Sequence, residues 1–247
     1  MGTLSGKVAL ITGGSRGLGL EMARAFAEEG SHIAVASRKL ANCEAVATEL
    51  ASTFGVDAAA FSFNASNWEQ CSTLVEQVYE RFGKVDTLVN NAGMSPLYES
   101  LVDVDSLLFD KVIGVNLRAP FRLISLIGTR MKAAGGGSII NVSSVEAVRP
   151  HPGALPYAAA KAGLNALTVG FAEAFAPTVR VNAIQAGGFL TDISQSWTAE
   201  MRADMEKGTM LGRAGQPSEI TGAALYLASA ASAYSTGSIL RVDGGLL

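Results

Sequence analysis

The sequence predicts an α/β fold in which a mostly parallel seven-stranded sheet carries helices on both faces. Short apolar runs alternate along the chain with longer segments of helical periodicity, which is the pattern of repeated β-α-β units. The runs are apolar throughout instead of alternating with polar residues, and this indicates strands that are buried on both sides. A glycine-rich segment directly follows the first run, where a doubly wound, Rossmann-type sheet has its first turn.

The first half of the chain contains four apolar runs and three helical segments. Gly30 and Gly83 follow the first and the third helical segment. Glycine commonly ends a helix because it adopts the left-handed backbone conformation without strain. The predicted strands span residues 8–11, 33–36, 58–63 and 85–89, and the predicted helices span residues 18–29, 40–54 and 68–82.

The second half continues the alternation and adds one last short strand. A long helical region over residues 107–133 is followed by consecutive glycines, and a second helix is predicted over residues 156–175. The predicted strands span residues 138–142, 179–184 and 239–242. Neither a linker nor an internal repeat interrupts the chain, so we expect residues 1–247 to form a single domain.

Composition argues against several classes of function. With 49% hydrophobic and 17% charged residues, the chain can bury a large core. Its formal charge of -3 and the lack of a basic run argue against nucleic-acid binding. Cys43 and Cys71 lie far apart without a metal-binding spacing, so we interpret them as reduced thiols. Their spacing and reduced state lead us to expect a cytoplasmic protein that needs no metal. No apolar stretch is long enough to span a membrane.

The first turn reads TGGSRGLG over residues 12–19 and joins the first strand to the first helix. Glycines allow the backbone to turn tightly and to approach a pyrophosphate, which the free amide groups of the helix N-terminus can bind. The spacing differs from the common G-x-G-x-x-G, and a simple tight turn is the alternative. Its place between a strand and a helix favours a dinucleotide site. The candidate residues are Gly13, Ser15, Arg16, Gly17, Leu18 and Gly19.

The end of the second strand predicts which dinucleotide binds. An NAD site places a carboxylate about 20 residues after the glycines, on the ribose 2′-hydroxyl. Here the chain reads Ala-Ser-Arg-Lys over residues 36–39, without a carboxylate. Arg38 and Arg16 are suited to a 2′-phosphate, with Ser37 beside them. Two solvated arginines are the alternative, but two cations and no acid favour NADP(H).

Tyr157 and Lys161 form a Y-x-x-x-K step on the second predicted helix of this half. Four residues are just over one helical turn, so both side chains share a face. A cation about 5 Å from a phenol contributes about 3 kcal/mol at an effective dielectric near 20. Lowering a tyrosine pKa from about 10 to about 7 requires roughly 4 kcal/mol. The pair is therefore suited to proton exchange near neutral pH, although such a step also occurs on solvated helix faces.

Five segments, in this order, resemble the motifs of the short-chain dehydrogenases/reductases. They are the glycine turn at residues 12–19, Asn-Asn-Ala-Gly at residues 90–93, Asn116 in Val-Asn-Leu, Ser144 in Asn-Val-Ser-Ser, and the step from Tyr157 to Lys161. The likeness covers essentially the whole chain. Within the family the sequence is similar to the 3-oxoacyl-(acyl carrier protein) reductase and ketoreductase branch.

The resemblance implies a role for each of four catalytic residues. Tyr157 is expected to be the acid/base, and Ser144 to hold the substrate carbonyl oxygen. Lys161 is expected to lower the tyrosine pKa and to bind the nicotinamide ribose, while Asn116 anchors a water that relays the proton. Ser144 is preferred to Ser143 because it lies thirteen residues before Tyr157, as in the reductase branch.

The resemblance also extends the cofactor site beyond the glycine turn. Two positions depart from the family pattern, because Asn64 stands where an aspartate is usual and Ala186 replaces a proline before Gly187. We expect these departures to affect binding only modestly. The further cofactor-binding candidates are Asn64, Ala65, Asn91, Ala92, Gly93, Gly187 and Thr191, in addition to Tyr157 and Lys161.

These features predict an NADP(H)-dependent oxidoreductase that interconverts a ketone and a secondary alcohol by hydride transfer. 3-Oxoacyl thioesters, β-ketoesters and bulky ketones are all candidate substrates, and a sugar or polyol dehydrogenase or a non-catalytic nucleotide-binding sensor is the alternative. The resemblance implies a homotetramer that assembles through the long helix and the last strand. A substrate lid is expected at about residues 190–212, with apolar side chains at Ile193, Trp197, Met201, Met205 and Met210.

Overall fold

The computed structural model describes residues 2–192, 194 and 198–246 of the chain. Of the apolar residues expected in the lid, Ile193 and Trp197 lie outside the described residues, as do the side chains of Met201 and Met205. Within the described part of the chain, no helix is both long and apolar enough to cross a membrane.

The first half of the chain alternates strands and helices as the sequence predicts. Asn67 begins the third helix by accepting a hydrogen bond from the backbone amide of Gln70 at 2.9 Å, and Gly83 ends it with a φ of 73°. The elements are β1 (Val8–Thr12), α1 (Gly17–Glu28), β2 (His32–Ser37), α2 (Leu40–Phe54), β3 (Ala58–Ser62), α3 (Trp68–Phe82) and β4 (Thr87–Asn90).

The second half contains one interrupted helix, a helix in the lid region and one helix that the sequence did not predict. The long helical region is divided by a π-helical turn at Gly114–Arg118, an irregularity that is frequent at functional sites. The elements are α4 (Ser106–Ile113), α5 (Ala119–Ala133), β5 (Gly137–Ser144), α6 (Leu155–Phe175), β6 (Val179–Ala186), α7 (Ala199–Lys207), α8 (Thr221–Ala228) and β7 (Ile239–Val242). The apolar residues of the lid region recur at roughly helical spacing, which agrees with α7, whereas α8 was not predicted.

The seven strands form one sheet in the order β3-β2-β1-β4-β5-β6-β7. Every pairing between these strands is parallel, which confirms the predicted fold class. The chain runs outward from β1 to β3 and then returns to β4 on the other side of β1. Such a reversal opens a crevice at the carboxyl ends of the strands, where ligands of doubly wound folds bind.

The hydrophobic core lies on both faces of the sheet. Successive strand residues point to opposite faces, so Ile11 packs in one cluster with Phe26 of α1 and Leu10 packs in the other with Leu74 of α3. All four side chains are at most 1% exposed. Fully burying one such side chain contributes about 1.5–3 kcal/mol. Both helical layers therefore hold the strands and fix where their carboxyl ends lie.

A buried hydrogen-bond chain attaches α6 to the sheet. Asn90 Nδ2 of β4 donates to Asn141 Oδ1 of β5 at 2.9 Å, and Asn141 Nδ2 donates to Thr168 Oγ1 of α6 at 2.9 Å. The three residues are at most 3% exposed. Breaking a buried bond leaves an unsatisfied polar group, which costs about 1–3 kcal/mol. These hydrogen bonds therefore set the position of α6, which carries Tyr157 and Lys161.

Candidate active site

The glycine turn has the backbone conformation that the sequence predicts. Gly13 has a φ of 66° and Gly17 a φ of 54°, values that side chains other than glycine adopt only with strain. The Gly13 amide donates to Ala36 O of β2 at 2.7 Å. Asn91 Nδ2 donates to Thr12 O at 2.9 Å and to Gly13 O at 3.1 Å. The turn is thus hydrogen-bonded to β2 and to the segment that follows β4, at the topological switch point.

Gly19 lets α1 begin directly against this turn. A Cβ atom at Gly19 would lie 2.3 Å from Gly13 O and 2.4 Å from Asn91 Nδ2. The helix starts after Arg16 without a capping side chain and without an acidic residue in its first turn. Leu18 lies in that first turn and packs against the core. The amide groups at the start of α1 are therefore available to an anion such as a pyrophosphate.

Gly19→Ala is expected to destabilise the protein by about 1–3 kcal/mol, the usual cost of overpacking, and to weaken dinucleotide binding. The new methyl group would force the turn away from Asn91. Gly222→Ala in α8 is the matched control, because a Cβ there meets no atom within 4 Å. Urea unfolding and dinucleotide titration measure both effects, and a Gly19→Ala protein with unchanged affinity would contradict the assignment of the turn.

The Asn-Asn-Ala-Gly segment supports the turn through Thr12. The Thr12 hydroxyl donates to Val89 O at 3.2 Å and accepts from the amides of Asn91 and Ala92, each at 3.1 Å. Asn91 therefore bonds to the turn through both its backbone and its side chain. This arrangement places Asn91, Ala92 and Gly93 along the crevice between β1 and β4.

Two arginines lie near the carboxyl end of β2. Arg38 is exposed, and no hydrogen bond or ion pair holds its guanidinium within the described ranges. Arg16 Nη1 lies 3.5 Å from Asp192 Oδ2, and both side chains are more than half exposed, so this ion pair contributes little. The sequence did not predict Asp192 as a partner of Arg16. Arg38 directly follows β2, and Arg16 follows Ser15, whose hydroxyl bonds to Ser37 at the end of the same strand.

Asn64 makes local contacts beyond the end of β3. Its Oδ1 accepts from the amide of Ser66 at 3.1 Å and from the Ser66 hydroxyl at 2.9 Å. The following Ala65 is buried at 9% exposure. Asn64 Oδ1 therefore stabilises a local turn. The side-chain Nδ2 has no partner among these contacts and is the atom expected to contact an adenine.

Gly187 and Thr191 follow β6 on the other side of the crevice. A Cβ at Gly187 would lie 2.7 Å from Asp243 Cα, so a larger residue does not fit there. The methyl group of Thr191 would lie 3.5 Å from a Cβ at Gly17, which places Thr191 against the glycine turn. Gly17 and Thr191 both line a cleft of about 370 Å³ that also contains Asp192 and Arg202.

Tyr157 and Lys161 share one face of α6, as their spacing predicts. Lys161 Nζ lies 5.5 Å from the centroid of the Tyr157 ring. The lysine is only 3% exposed, and its ammonium donates to Val142 O of β5 at 2.7 Å. The two residues therefore lie beside the carboxyl end of β5, where Ser144 ends the strand.

The pKa of Tyr157 differs from the expectation. Burial raises the Tyr157 pKa, an interaction with the Ser144 side chain lowers it, and the charge of Glu146 raises it. Burial also lowers the pKa of Lys161, to about 8. The spacing of Tyr157 and Lys161 predicted that the tyrosine pKa would fall. In the structure burial is the largest cause of the shift and raises this pKa, because a low-dielectric environment disfavours the phenolate.

Ser144, and not Ser143, faces the tyrosine. The two serines are consecutive on β5 and point to opposite faces of the sheet. Ser144 interacts with the Tyr157 side chain, whereas Ser143 Oγ is buried without a hydrogen-bond partner among the described residues. The structure therefore brings the preferred serine to Tyr157.

Asn116 lies in the π-helical turn and is fully buried. Its Nδ2 donates to Met94 O at 2.8 Å and to Val112 O at 3.0 Å, and its Oδ1 accepts from the Met94 amide at 3.3 Å. A Cβ at Gly93 would lie 3.0 Å from Asn116 Oδ1 and 3.9 Å from Lys161 Nζ. The asparagine therefore joins the irregular helix to the loop after β4, close to Lys161.

Sequence reasoning missed Glu146, although its place two residues after Ser144 is a visible signal. The Glu146 amide donates to Ser144 Oγ at 3.1 Å. Its carboxylate accepts from the His151 amide at 2.6 Å, which closes the loop that leads into α6. Glu146 thus contacts Ser144 through its backbone and raises the Tyr157 pKa through its charge.

Glu146→Gln is expected to lower the Tyr157 pKa, because it removes a negative charge and keeps an oxygen for the His151 amide. With Tyr157 as the acid/base that the sequence predicts, ketone reduction requires the protonated phenol and is lost as pH rises through this pKa, so the loss should begin at lower pH in the variant. Alcohol oxidation should rise at lower pH for the same reason. The pH profiles of kcat/KM in both directions measure the shift.

Glu173→Gln is the control for this experiment, since Glu173 is an exposed residue near the far end of α6. Profiles of Glu146→Gln that coincide with those of wild type would contradict an electrostatic effect of Glu146 on Tyr157.

The fold and the site together define a dinucleotide-dependent oxidoreductase, and comparisons with known proteins agree. The sequence model of a family described as enoyl-(acyl carrier protein) reductase matches residues 13–247. The 3-oxoacyl-(acyl-carrier-protein) reductase of Chlamydia trachomatis is 36% identical over 250 residues, which cover 99% of each protein. The chain belongs to the short-chain dehydrogenase/reductase family, whose members use NAD or NADP.

Solved structures of the same family superpose closely. A short-chain dehydrogenase/reductase from Mycobacterium marinum has a TM-score of 0.91 at 34% identity, covering 98% of this chain and 95% of that chain. The NADPH-dependent 3-quinuclidinone reductase of Rhodotorula rubra has a TM-score of 0.92 at 33% identity, covering 98% of this chain and 92% of that chain.

Proposed function

We propose that the protein is an NADP(H)-dependent ketoreductase that interconverts a ketone and a secondary alcohol. The observation that carries this proposal is the grouping of Ser144, Tyr157 and Lys161 at the carboxyl end of β5, beside the switch point with its glycine turn. The proposed substrates are ketones of the 3-oxoacyl, β-ketoester or bulky type.

In the proposed mechanism, a nicotinamide bound in the crevice would supply a hydride to the carbonyl carbon of the ketone or accept one from the carbinol carbon of the alcohol. Ser144 donates a hydrogen bond to the carbonyl oxygen, and Tyr157 transfers its proton to that oxygen as the alcohol forms. The raised pKa keeps Tyr157 protonated at neutral pH, which suits reduction. Lys161 binds the nicotinamide ribose, and Asn116 holds a water through which the proton of Tyr157 is replaced.

The preference for NADP(H) is supported by charge at the end of β2. Arg38 has no partner within the described residues, and the contact of Arg16 with Asp192 is weak. Both are thus free to bind a 2′-phosphate through charge-assisted hydrogen bonds. The structural relative from Rhodotorula rubra is NADPH-dependent by name. An acidic residue that would accept from a free ribose 2′-hydroxyl is lacking in residues 36–39.

The α5 surface bears on whether the ketone is attached to an acyl carrier protein. Arg122 Nε donates to Ser72 Oγ at 3.0 Å, and Lys132 Nζ donates to Ala174 O at 2.9 Å. Arg130 pairs with Glu76. All three cations have partners within the subunit and none of them forms a free basic cluster, which supports a free ketone as the substrate. The relative from Chlamydia trachomatis acts on an acyl carrier protein substrate by name, so acetoacetyl thioester belongs in the test.

The test is oxidation of NADPH, and in parallel of NADH, with acetoacetyl thioester, a β-ketoester, a bulky cyclic ketone and a keto sugar. We expect NADPH-dependent reduction of at least one of the first three. Activity confined to the sugar would favour the sugar or polyol dehydrogenase. Tight NADPH binding without turnover of any compound would favour a nucleotide-binding sensor.

A homotetramer is the proposed assembly. On α5 and α6, Phe121 is 41% exposed and Val169 is 53% exposed, and β7 is an edge strand. Exposed apolar residues of this kind are common at subunit contacts. Light scattering of the wild type should give the mass of a tetramer, and Val169→Glu should lower it. A monomeric wild type would contradict the proposal.

Removing the last strand would also be expected to break a tetramer that assembles through β7, but it would disturb the single subunit as well. Deleting the chain from Arg241 onward would remove half of β7. It would also remove Gly244 O and Gly245 O, which accept from the amides of Leu211 and Met210 at 3.0 and 2.9 Å. The tail therefore holds the end of the lid, so its deletion would perturb one subunit by itself.

A further inference from the structure

Three side chains with hydroxyl or thiol groups form a hydrogen-bond chain at the carboxyl end of β2. Ser15 Oγ in the glycine turn donates to Ser37 Oγ at 3.0 Å. Ser37 Oγ in turn lies 3.0 Å from Cys43 Sγ, and either atom can be the donor. Ser37 is half-buried and Cys43 is fully buried in the first turn of α2. This series of hydrogen bonds thus leads from the glycine turn through Ser37 into the core.

The direction of the second hydrogen bond decides what Ser37 can offer to a ligand. A serine hydroxyl has one proton and two acceptor lone pairs. If Ser37 donates to Cys43, no proton is left for another group. If Cys43 donates to Ser37, both lone pairs of Ser37 are used by Ser15 and Cys43, and its proton is free. Only the second arrangement makes Ser37 a donor toward the crevice.

The environment of Cys43 favours the second arrangement. Burial raises the pKa of the Cys43 thiol, so the group stays protonated, and hydrogen bonding with Ser37 opposes this only in part. A thiol is both a weak acceptor and a weak donor, so Ser37 loses little when it turns its proton from Cys43 to a stronger acceptor and accepts the thiol proton in exchange. The oxygens of a phosphate accept hydrogen bonds, so a phosphate is bound more tightly when Ser37 can donate. A ribose hydroxyl can itself donate or accept and depends less on the direction.

We propose that Cys43 is a positioning residue for cofactor selection, which donates its thiol proton to Ser37 and thereby directs the Ser37 hydroxyl proton toward a 2′-phosphate. The proposal rests on the proposed use of NADP(H). It differs from the plain interpretation of Cys43 as a packed core thiol, because it requires that Cys43 act through Ser37. Cys43 itself touches neither the cofactor nor the substrate.

The experiment compares the affinities for adenosine 2′,5′-bisphosphate and 5′-AMP, whose difference isolates the 2′-phosphate. Cys43→Ala is expected to lower the preference for the bisphosphate by about threefold to tenfold, the range for one lost hydrogen bond. Cys43→Ser keeps a donor of similar size and should retain the preference. Val46→Ala, one turn later in the same helix and also buried, controls for lost packing.

A double-mutant cycle separates positioning from packing. In the Ser37→Ala background, Cys43→Ala should have no further effect on the preference, because the group through which it acts is gone. An equal effect with and without Ser37, or an unchanged preference in Cys43→Ala, would overturn the inference while leaving NADP(H) use intact. A wild type that binds 5′-AMP as tightly as the bisphosphate would overturn both the inference and the proposed cofactor.

Discussion

Tyr157→Phe is expected to lower kcat by about a hundredfold to ten-thousandfold, the usual contribution of a positioned acid or base. The substitution removes only the phenol oxygen and keeps the ring next to Lys161 Nζ. Ser144 can still hold the carbonyl oxygen, but the proton that completes the alcohol has lost its donor. Dissociation constants for NADPH should therefore stay close to those of wild type.

The measurement is steady-state turnover of the best ketone found in the substrate panel, together with NADPH titration by fluorescence. Tyr226→Phe is the matched control, since its hydroxyl bonds to Ser235 Oγ at 2.8 Å, outside the site. Retention of a tenth of wild-type kcat in Tyr157→Phe would refute the assignment of Tyr157 as the acid/base. A parallel loss of NADPH affinity would instead indicate a damaged site.

The sequence was most informative where backbone geometry and burial leave little choice. The strands are apolar because both faces of the sheet are covered, and Leu10 and Ile11 enter opposite clusters for that reason. Gly13 and Gly17 have positive φ angles, which agrees with the tight turn predicted from the glycine pattern. Features that depend on local conformation and period are visible in one sequence, and they were sufficient to predict the fold class and the place of the glycine turn.

Contacts between distant segments and their dielectric environment were not visible in the sequence. Spacing placed Lys161 near Tyr157, but it carried no information on how far burial would raise the Tyr157 pKa. Cys43 was interpreted as an ordinary thiol because its neighbour Ser37 is joined to it through tertiary packing and not through a motif. The helix α8 was missed because its eight residues carry too little pattern to separate it from a loop.

The π-helical turn at Gly114–Arg118 is another feature that could not be predicted from the sequence. Periodicity predicted one continuous helix over residues 107–133, since one inserted residue changes the pattern only slightly. In the structure the turn allows Asn116 to bond to Met94 in the loop after β4. The preference for a regular helix is outweighed here by a buried polar side chain that must satisfy its hydrogen bonds.

The double substitution Ser37→Asp with Arg38→Leu is expected to exchange the cofactor preference. Each arginine hydrogen bond to a 2′-phosphate contributes about 1.5–3 kcal/mol, so losing Arg38 should weaken NADPH roughly tenfold to a hundredfold. The new carboxylate repels the phosphate as well. Toward NADH the same carboxylate can accept from the ribose hydroxyls, and binding should be unchanged or improved.

The structure makes position 37 suitable for this change. Ser15 Oγ and Cys43 Sγ both lie 3.0 Å from Ser37 Oγ, so two donors are available to a carboxylate that is half-buried at the same place. Those hydrogen bonds offset part of the cost of desolvating the new charge. The single variant Arg38→Leu separates the two effects, because it should weaken NADPH while leaving NADH unaffected.

The measurement is kcat/KM for NADPH and NADH with one ketone, in wild type and variants, at one fixed ionic strength, since charge-assisted contacts at an exposed site are screened by salt. Lys39→Leu, which removes the adjacent exposed cation, is the matched control for charge alone. A wild type that already prefers NADH would show that Arg38 is only a solvated surface residue. If Lys39→Leu weakened NADPH as strongly as Arg38→Leu, general electrostatic attraction and not a specific contact of Arg38 would account for the preference.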